Sequence, residues 1–274
     1  MRKTLIACTL SILTTPARAA GPENWQIGFG EPASETEARI VALHDHIMLI
    51  GGGIVLLVVV LLGIALFRFG ETRHPVASKV TRLPWLEFGW TVAPVLVLGA
   101  IAVPSMQLLA YEGRIPDADI TVKVSAHQWF WRYSYPDSGG FTVDSIMTPP
   151  GQVPSGEPRL LSVDNRMVVP VGAVVRIQVT SSDVVHSFFM PALGIQIYAV
   201  PGRLNETWTR VDRPGVYYGQ CNQICGLDHS FMPIGIEAKP QAEFDAWLAD
   251  AKARYPSADS GTVRTAMQAT GESQ

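Results

Sequence analysis

Two apolar runs constrain this chain more than anything else in it: HIMLIGGGIVLLVVVLLGIALF from His46 to Phe67, and WTVAPVLVLGAIAVPSMQLL from Trp90 to Leu109. A helix crossing a bilayer core of about 30 Å needs about 20 apolar residues, and each run supplies them. A buried core helix is the alternative for either run alone, but two so close together exceed what one core of this size needs. Pro94 and Pro104 would break a soluble helix; in a membrane bundle, neighbouring groups satisfy the freed backbone. The connecting segment carries Arg68, Arg73, Lys79 and Arg82 against Glu71, and positive loops stay in the cytoplasm. Transmembrane helices are therefore expected at 44–67 and 87–111, joined by a cytoplasmic loop at 68–86. Both outer ends then lie on the periplasmic side of a bacterial inner membrane.

The chain ends bear on the same topology. The opening MRKTLIACTLSILTTPARAA has the basic start, apolar middle and Ala17-Arg18-Ala19 of a secretory signal, so residues 1–20 read as a cleaved leader and 21–43 as an external segment. Leu5 to Cys8 resembles a lipoprotein box, but the apolar stretch before Cys8 is too short for that reading to lead. Cleavage removes Cys8 and leaves Cys221 and Cys225, in an oxidising compartment.

After Glu112 the character changes. ITVKVSAHQWFWRYSYP (120–136), LLSVDNRMVVP (160–170), AVVRIQVTS (173–181) and TWTRVDRPGVYYGQC (207–221) are β-branched and aromatic with short turn punctuation, as in an all-β sandwich or barrel. Gln241 to Lys252 reads as a closing helix, ending a domain at 112–253, and 254–274 as a mobile polar tail. Residues 112–250 hold 10 Lys and Arg against 15 Asp and Glu, an acidic balance that suits a cationic partner and argues against nucleic acid. The one glycine triplet, Gly51–Gly53, lies inside a span, so no phosphate-binding loop is present.

The chemistry concentrates in GQCNQICGLDHSFMPIG, 219–235, where Cys221, Cys225, His229 and Met232 fall within twelve residues. A disulfide uses the two thiols and leaves His229 and Met232 unexplained. Zinc accepts two Cys and a His but has little use for a thioether. Copper takes all of them, with His186 of SSDVVHSFFMP as an upstream partner. A single electron-transfer copper needs one thiolate; two cysteines point to two bridging sulfurs and two metals. Each copper then takes one histidine, His186 or His229, and one weak ligand, Met232 or a backbone carbonyl between the cysteines. A rigid site of this kind is suited to relaying single electrons.

YGQCNQICGLDHSFMPIG, SSDVVHSFFMPALG, AVPGRLNETW, AHQWFWRYSYPD and LEFGWTVAPVLVL together closely resemble subunit II of the cytochrome c oxidases of the haem-copper family, over about 44–252. The resemblance implies a cupredoxin-like β-barrel after a two-helix transmembrane hairpin, holding the dinuclear centre CuA. It implies His186 and Met232 on one copper, His229 and the Gln223 carbonyl on the other, and Cys221 and Cys225 bridging. It implies Trp129 as the surface residue through which electrons enter, where core packing is the plain alternative, as it is for Trp131. On an alternating strand Trp129, Trp131, Tyr133 and Tyr135 would share a face. Glu87 of LEFGW is implied at the mouth of a proton path into subunit I; its plain alternative is an interfacial carboxylate. Subunits I and III, and a cytochrome c or membrane-tethered c-type cytochrome as donor, are the implied partners.

The chain departs from the family pattern in several places. Gln223 replaces the usual Glu, whose carboxylate also binds magnesium; a neutral amide is a poorer ligand for that hard cation. Tyr198 replaces an Asp ahead of the turn at Pro201 and bears on water and proton exit. Ser134 and Ser182 replace acids that dock basic cytochrome c, while Asp137, Asp144 and Asp183 remain. Three other readings compete. A quinol oxidase subunit generally lacks the copper ligands; a copper-delivery protein needs neither Met232 nor two spans; and the helix hairpin speaks against a diffusing copper carrier.

Overall fold

The computed structural model describes residues 21–22, 25–76 and 78–255. The leader expected at 1–20 and all but the start of the tail expected at 254–274 lie outside the described residues. Helices α1 (Glu35–Arg68) and α2 (Pro84–Glu112) form an antiparallel hairpin and are followed by ten strands and a closing helix. Both are long and apolar enough to cross a membrane, and their most apolar windows have no buried residue within the chain. Those side chains have nothing to cover them except lipid or another subunit.

Helix α1 starts well ahead of its apolar run. At 34 residues it is about 51 Å long, some 20 Å more than the hydrocarbon core needs. The surplus is at the start, where Ser34 caps the helix by accepting from the Glu37 N–H at 3.1 Å and donates through its hydroxyl to the Leu193 carbonyl at 2.9 Å. The Ala33 N–H reaches the Ala192 carbonyl and the Asp212 N–H reaches the Ala33 carbonyl, at 2.8 and 3.0 Å. The start of the hairpin is thus bolted to the β-domain that follows its end. Helix α2 opens on Pro84, whose missing N–H costs nothing there, and runs unbroken through Pro94 and Pro104.

The β-domain is a sandwich of two five-stranded sheets. One runs β3 (Thr142–Ser145), β2 (Phe130–Ser134), β1 (Ile120–His127), β5 (Val174–Ser181), β8 (Asn205–Arg210). The other runs β4 (Met167–Pro170), β10 (Pro233–Lys239), β9 (Gly215–Cys221), β6 (His186–Met190), β7 (Ile195–Ala199). Parallel pairings of β1 with β5 and of β10 with β4 sit among antiparallel ones. Strict alternation of buried and exposed positions along β1 and β5 turns Val122, Val124, Ile177 and Val179 into the core. Helix α3 (Gln241–Arg254) closes one end by setting Trp247 against Tyr135 and Phe141, with Phe244 packed on Trp247. The two-helix hairpin followed by an all-β, cupredoxin-like domain is the architecture expected from the sequence.

Candidate metal centre

Three adjacent strands deliver the site. His186 opens β6, Cys221 ends β9, and Met232 directly precedes β10. Phe188 pairs with Cys221 across β6 and β9, and Pro233 with Gln220 across β9 and β10, so all three side chains emerge at one end of one sheet. Residues 222–232 bridge β9 to β10 and include a short 3-10 turn at His229–Phe231. That loop is pinned at its base: the Cys221 N–H donates to the Met232 carbonyl and the Asn222 N–H to the Ser187 carbonyl, at 3.3 and 3.2 Å. The Trp131 indole N–H also donates to the Met232 carbonyl, at 3.2 Å.

Six donors converge as a result. The sulfurs of Cys221 and Cys225 lie 3.9 Å apart, far beyond the ~2.05 Å of a disulfide, and both cysteines are free. The sulfur of Cys221 is 3.9 Å from His186 Nδ1 and 3.4 Å from the Gln223 carbonyl oxygen. The sulfur of Cys225 is 3.5 Å from His229 Nδ1 and 3.5 Å from Met232 Sδ. Two sulfurs, or a sulfur and a nitrogen, bound tetrahedrally to one ion at ordinary first-row metal distances stand about 3.5–3.8 Å apart, so the observed spacings are those of donors gathered around ions. His186, Cys221 and Cys225 alone form a group able to hold a metal. His186, Cys221, Cys225 and Met232 are all buried, which excludes water from the sulfur side. The soft donor set fits copper.

Electrostatics support ligation. Burial works against ionising either thiol. For Cys221, hydrogen bonds from His186 and from the backbone of Ser187 and Gln223 outweigh burial and bring the pKa down to about 6. For Cys225, burial and the neighbouring Cys221 charge push it up to about 12. Asp183 accepts from His186 Nε2 at 2.9 Å, which turns Nδ1 towards the Cys221 sulfur. Burial alone would raise the Asp183 pKa, but His186 and the Val184 and Gln128 N–H groups hold it below its ordinary value.

Trp129 lies elsewhere than the alternation argument placed it. The run 120–136 reverses at Gln128–Trp129, the two-residue turn between β1 and β2 where His127 pairs with Phe130. Trp131, Tyr133 and Tyr135 do line the core, whereas Trp129 is half-buried at the tip. There its indole N–H and the Gln128 amide both donate to the Cys225 carbonyl, at 3.3 and 2.8 Å. Gly226 has φ +124°, and a Cβ on it would stand 2.9 Å from the Trp129 ring; only glycine lets the indole lie so close to the cysteine loop. Asp183 also accepts from the Gln128 N–H at 2.7 Å. Asp183 thus ties the Trp129 turn to His186, a link that the i, i+3 spacing of Asp183 and His186 hinted at.

Other sequence candidates lie apart. Glu87 sits exposed in the first turn of α2, at the end of the hairpin away from the β-domain. Tyr198 pairs with Ser187 beside His186 and is exposed. The remaining acids are engaged internally: Asp144 in a two-point pair with Arg132 at 2.5 and 2.8 Å, and Asp137 by accepting from the Thr121 N–H at 2.8 Å.

Comparison with known proteins shows the family of the chain. Residues 22–108 match the family model "Cytochrome C oxidase subunit II, transmembrane domain" and 120–239 match "Cytochrome C oxidase subunit II, periplasmic domain". The probable cytochrome c oxidase subunit 2 of Rickettsia bellii (strain RML369-C) is 43% identical over 249 residues, 91% of this chain and 93% of that protein. Its counterpart from Rickettsia prowazekii (strain Madrid E) is 46% identical over 231 residues, 84% of this chain and 74% of that protein. A crystal structure of the periplasmic domain of subunit II of cytochrome oxidase from Bradyrhizobium japonicum is 49% identical, covers 52% of this chain and 100% of that one, and aligns with a TM-score of 0.49. The chain belongs to the cytochrome c oxidase subunit II family.

Proposed function

We propose that this subunit takes electrons from a reduced c-type cytochrome at the Trp129 face of its β-domain and hands them to the haem- and copper-bearing subunit I, where O2 is reduced to water with coupled proton translocation. One observation carries the reading: six donors, including two free sulfurs 3.9 Å apart, meet at the end of one sheet. His186 and Met232 would hold one copper, His229 and the Gln223 carbonyl another, with Cys221 and Cys225 between them. Copper bound there supplies a one-electron store spread over two ions.

The chain's own residues do the rest. Strands β6 and β9 and the 222–232 loop, pinned at its base by the Cys221 and Asn222 N–H bonds, hold the donors in place whichever charge they face, so little has to move when an electron arrives. Trp129 joins the surface to the buried Cys225 through one hydrogen bond to that residue's own carbonyl. Asp144 is charge-paired with Arg132 and Ser134 and Ser182 carry no charge, which suits a weakly basic or membrane-tethered donor. Glu87, at the opposite end of α2, is placed to feed protons towards subunit I. The basic segment Arg68–Arg82 sets the hairpin's tip in the cytoplasm, with the β-domain and both termini in the periplasm of a bacterial inner membrane and subunit III completing the assembly.

The test is stopped-flow oxidation of a reduced c-type cytochrome by the purified oxidase. Trp129→Phe, which removes the indole N–H, is expected to slow electron uptake while copper content stays at the wild-type value; unchanged uptake would remove Trp129 from the route. In the same assay, fast oxidation of a strongly basic cytochrome that falls steeply with salt would refute the weakly basic donor.

A further inference from the structure

An open cleft of about 410 Å3 lies at the joint between α2 and the β-domain, lined by Gln107, Ala110, Tyr111, Arg114, Pro116 and Trp208. It plays no part in the metal centre. Its walls are aromatic: Trp208 of the edge strand β8 meets Tyr111 edge-on, with ring centroids 5.4 Å apart, and the Arg39 guanidinium lies 4.1 Å from the centre of the Tyr111 ring. Glu35 pairs with both Arg39 and Arg210, at 2.6 and 3.0 Å, so those two cations are committed. Arg114 is exposed and makes no ion pair or side-chain hydrogen bond among the described residues.

The helix beneath the cleft extends it. Leu96, Ala100, Val103, Gln107 and Ala110 recur at helical spacing and share one face of α2, and Arg114 follows just past its end. Leu96 and Val103 are exposed on that face by 68% and 61%. From Gln107 down to Leu96 the stripe is about 17 Å long, close to half of a ~30 Å hydrocarbon core. Tyr111 and Trp208 stand where the span ends, the level at which amphipathic rings favour the headgroup layer. An uncommitted cation, a polar amide about two turns below it that lines the same cleft, an aromatic wall and a leaflet-deep apolar track are together complementary to one class of molecule.

We propose that this cleft is a phospholipid site. The phosphodiester sits on the Arg114 guanidinium with the Gln107 amide donating to it. The glycerol stands against Tyr111 and Trp208, and one acyl chain runs down Val103, Ala100 and Leu96. Such a lipid packs the hinge between the membrane hairpin and the β-domain. The inference does not depend on the metal centre.

The test uses the whole oxidase, delipidated in mild detergent and titrated with dioleoylphosphatidylglycerol under native mass spectrometry. One tightly held phospholipid per copy of this chain is expected, and Arg114→Gln, at an exposed position, weakens it by about tenfold or more, the range of a hydrogen bond to a charged group. Arg82→Gln, at the opposite end of the hairpin, leaves retention unchanged, and neither dioleoylglycerol, which lacks the phosphate, nor inorganic phosphate displaces the lipid. Wild-type retention in the Arg114 variant, or equal competition by dioleoylglycerol, overturns the site. Displacement by inorganic phosphate overturns it in favour of a soluble anion. Failure of a photoactivatable phosphatidylglycerol to label residues 96–114 in the assembled oxidase overturns it in favour of a covering subunit. Copper content is expected to be unaffected by Arg114→Gln, so failure here leaves the reading of the metal centre standing.

Discussion

Replacing Gly226 by alanine probes the contact on which the donor side of the site depends. At φ +124° the backbone is in a region that side-chain-bearing residues rarely adopt, and holding alanine there costs about 1–3 kcal/mol. The new Cβ would also lie 2.9 Å from Trp129 Cζ2 and 3.0 Å from Gln128 Nε2, an overpacking worth about 1–3 kcal/mol if nothing moves. The cheaper relief is for the Trp129 turn to swing away. That breaks the two hydrogen bonds onto the Cys225 carbonyl, each contributing about 1 kcal/mol. Either way the variant loses about 2–5 kcal/mol locally. None of the six donors is replaced, and the base of the loop stays pinned by the Cys221 and Asn222 N–H bonds. Copper content by elemental analysis should therefore match wild type. Uptake of electrons from reduced cytochrome, followed by stopped flow, should fall by an order of magnitude or more, because a misplacement on the order of 1 Å at a reacting group costs up to about 100-fold. A Gly226→Ala enzyme with wild-type uptake and wild-type melting would refute the claim that the indole's close approach to the cysteine loop matters.

The other predictions are shorter. Asp183→Asn removes the carboxylate that holds His186 Nε2, and copper affinity should fall by about 10–100-fold, the usual effect of losing such a partner, as read by competition with a chelator. Gly219→Ala should prevent folding, since its Cβ would strike the Phe189 backbone carbonyl and the Met190 sulfur between β9 and β6; soluble expression at wild-type yield would contradict this. Glu37 is buried ahead of the apolar run of α1, and desolvation raises its pKa from 4.5 to about 7. The folded state then binds more protons than the unfolded state between those values, so stability falls as pH rises from 4.5 through 7 and is flat above, by about 3 kcal/mol in all. Glu37→Gln should flatten that profile and raise the apparent melting temperature at pH 8 relative to pH 5, as read by thermal scans in detergent.

Much of this structure is legible in the sequence because its strongest signals are local. Apolar length alone locates both helices, and the soft donors at 221, 225, 229 and 232 lie within one loop whose spacing needs no tertiary knowledge. His186 is legible too, since its distance in sequence is closed by the pairing of β6 with β9. What the sequence hides depends on a reversal or a docking contact. Period-two alternation through 120–136 cannot reveal that the chain turns at Gln128–Trp129, because aromatic residues flank the turn on both sides; Trp129 therefore reads as one more strand residue. The early start of α1 is hidden for a different reason. Residues 35–43 are polar enough to read as an external segment, and they are helical because Ser34 and Ala33 find partners at Ala192, Leu193 and Asp212, far along the chain. Asp183 reads as a surface acid until its contacts with His186 and Gln128 are seen.

The central claim is that Cys221 and Cys225 are free thiolates that share two copper ions. Copper per chain, measured on the full-length protein after loading and removal of loose metal, with electron paramagnetic resonance on the oxidised form, tests it most directly. Two coppers per chain, with hyperfine structure from a single electron shared equally by two copper nuclei, is the expected result. One copper with a localised spectrum, or a metal-free protein whose two sulfurs are joined as a disulfide and cannot be loaded after reduction, would contradict it.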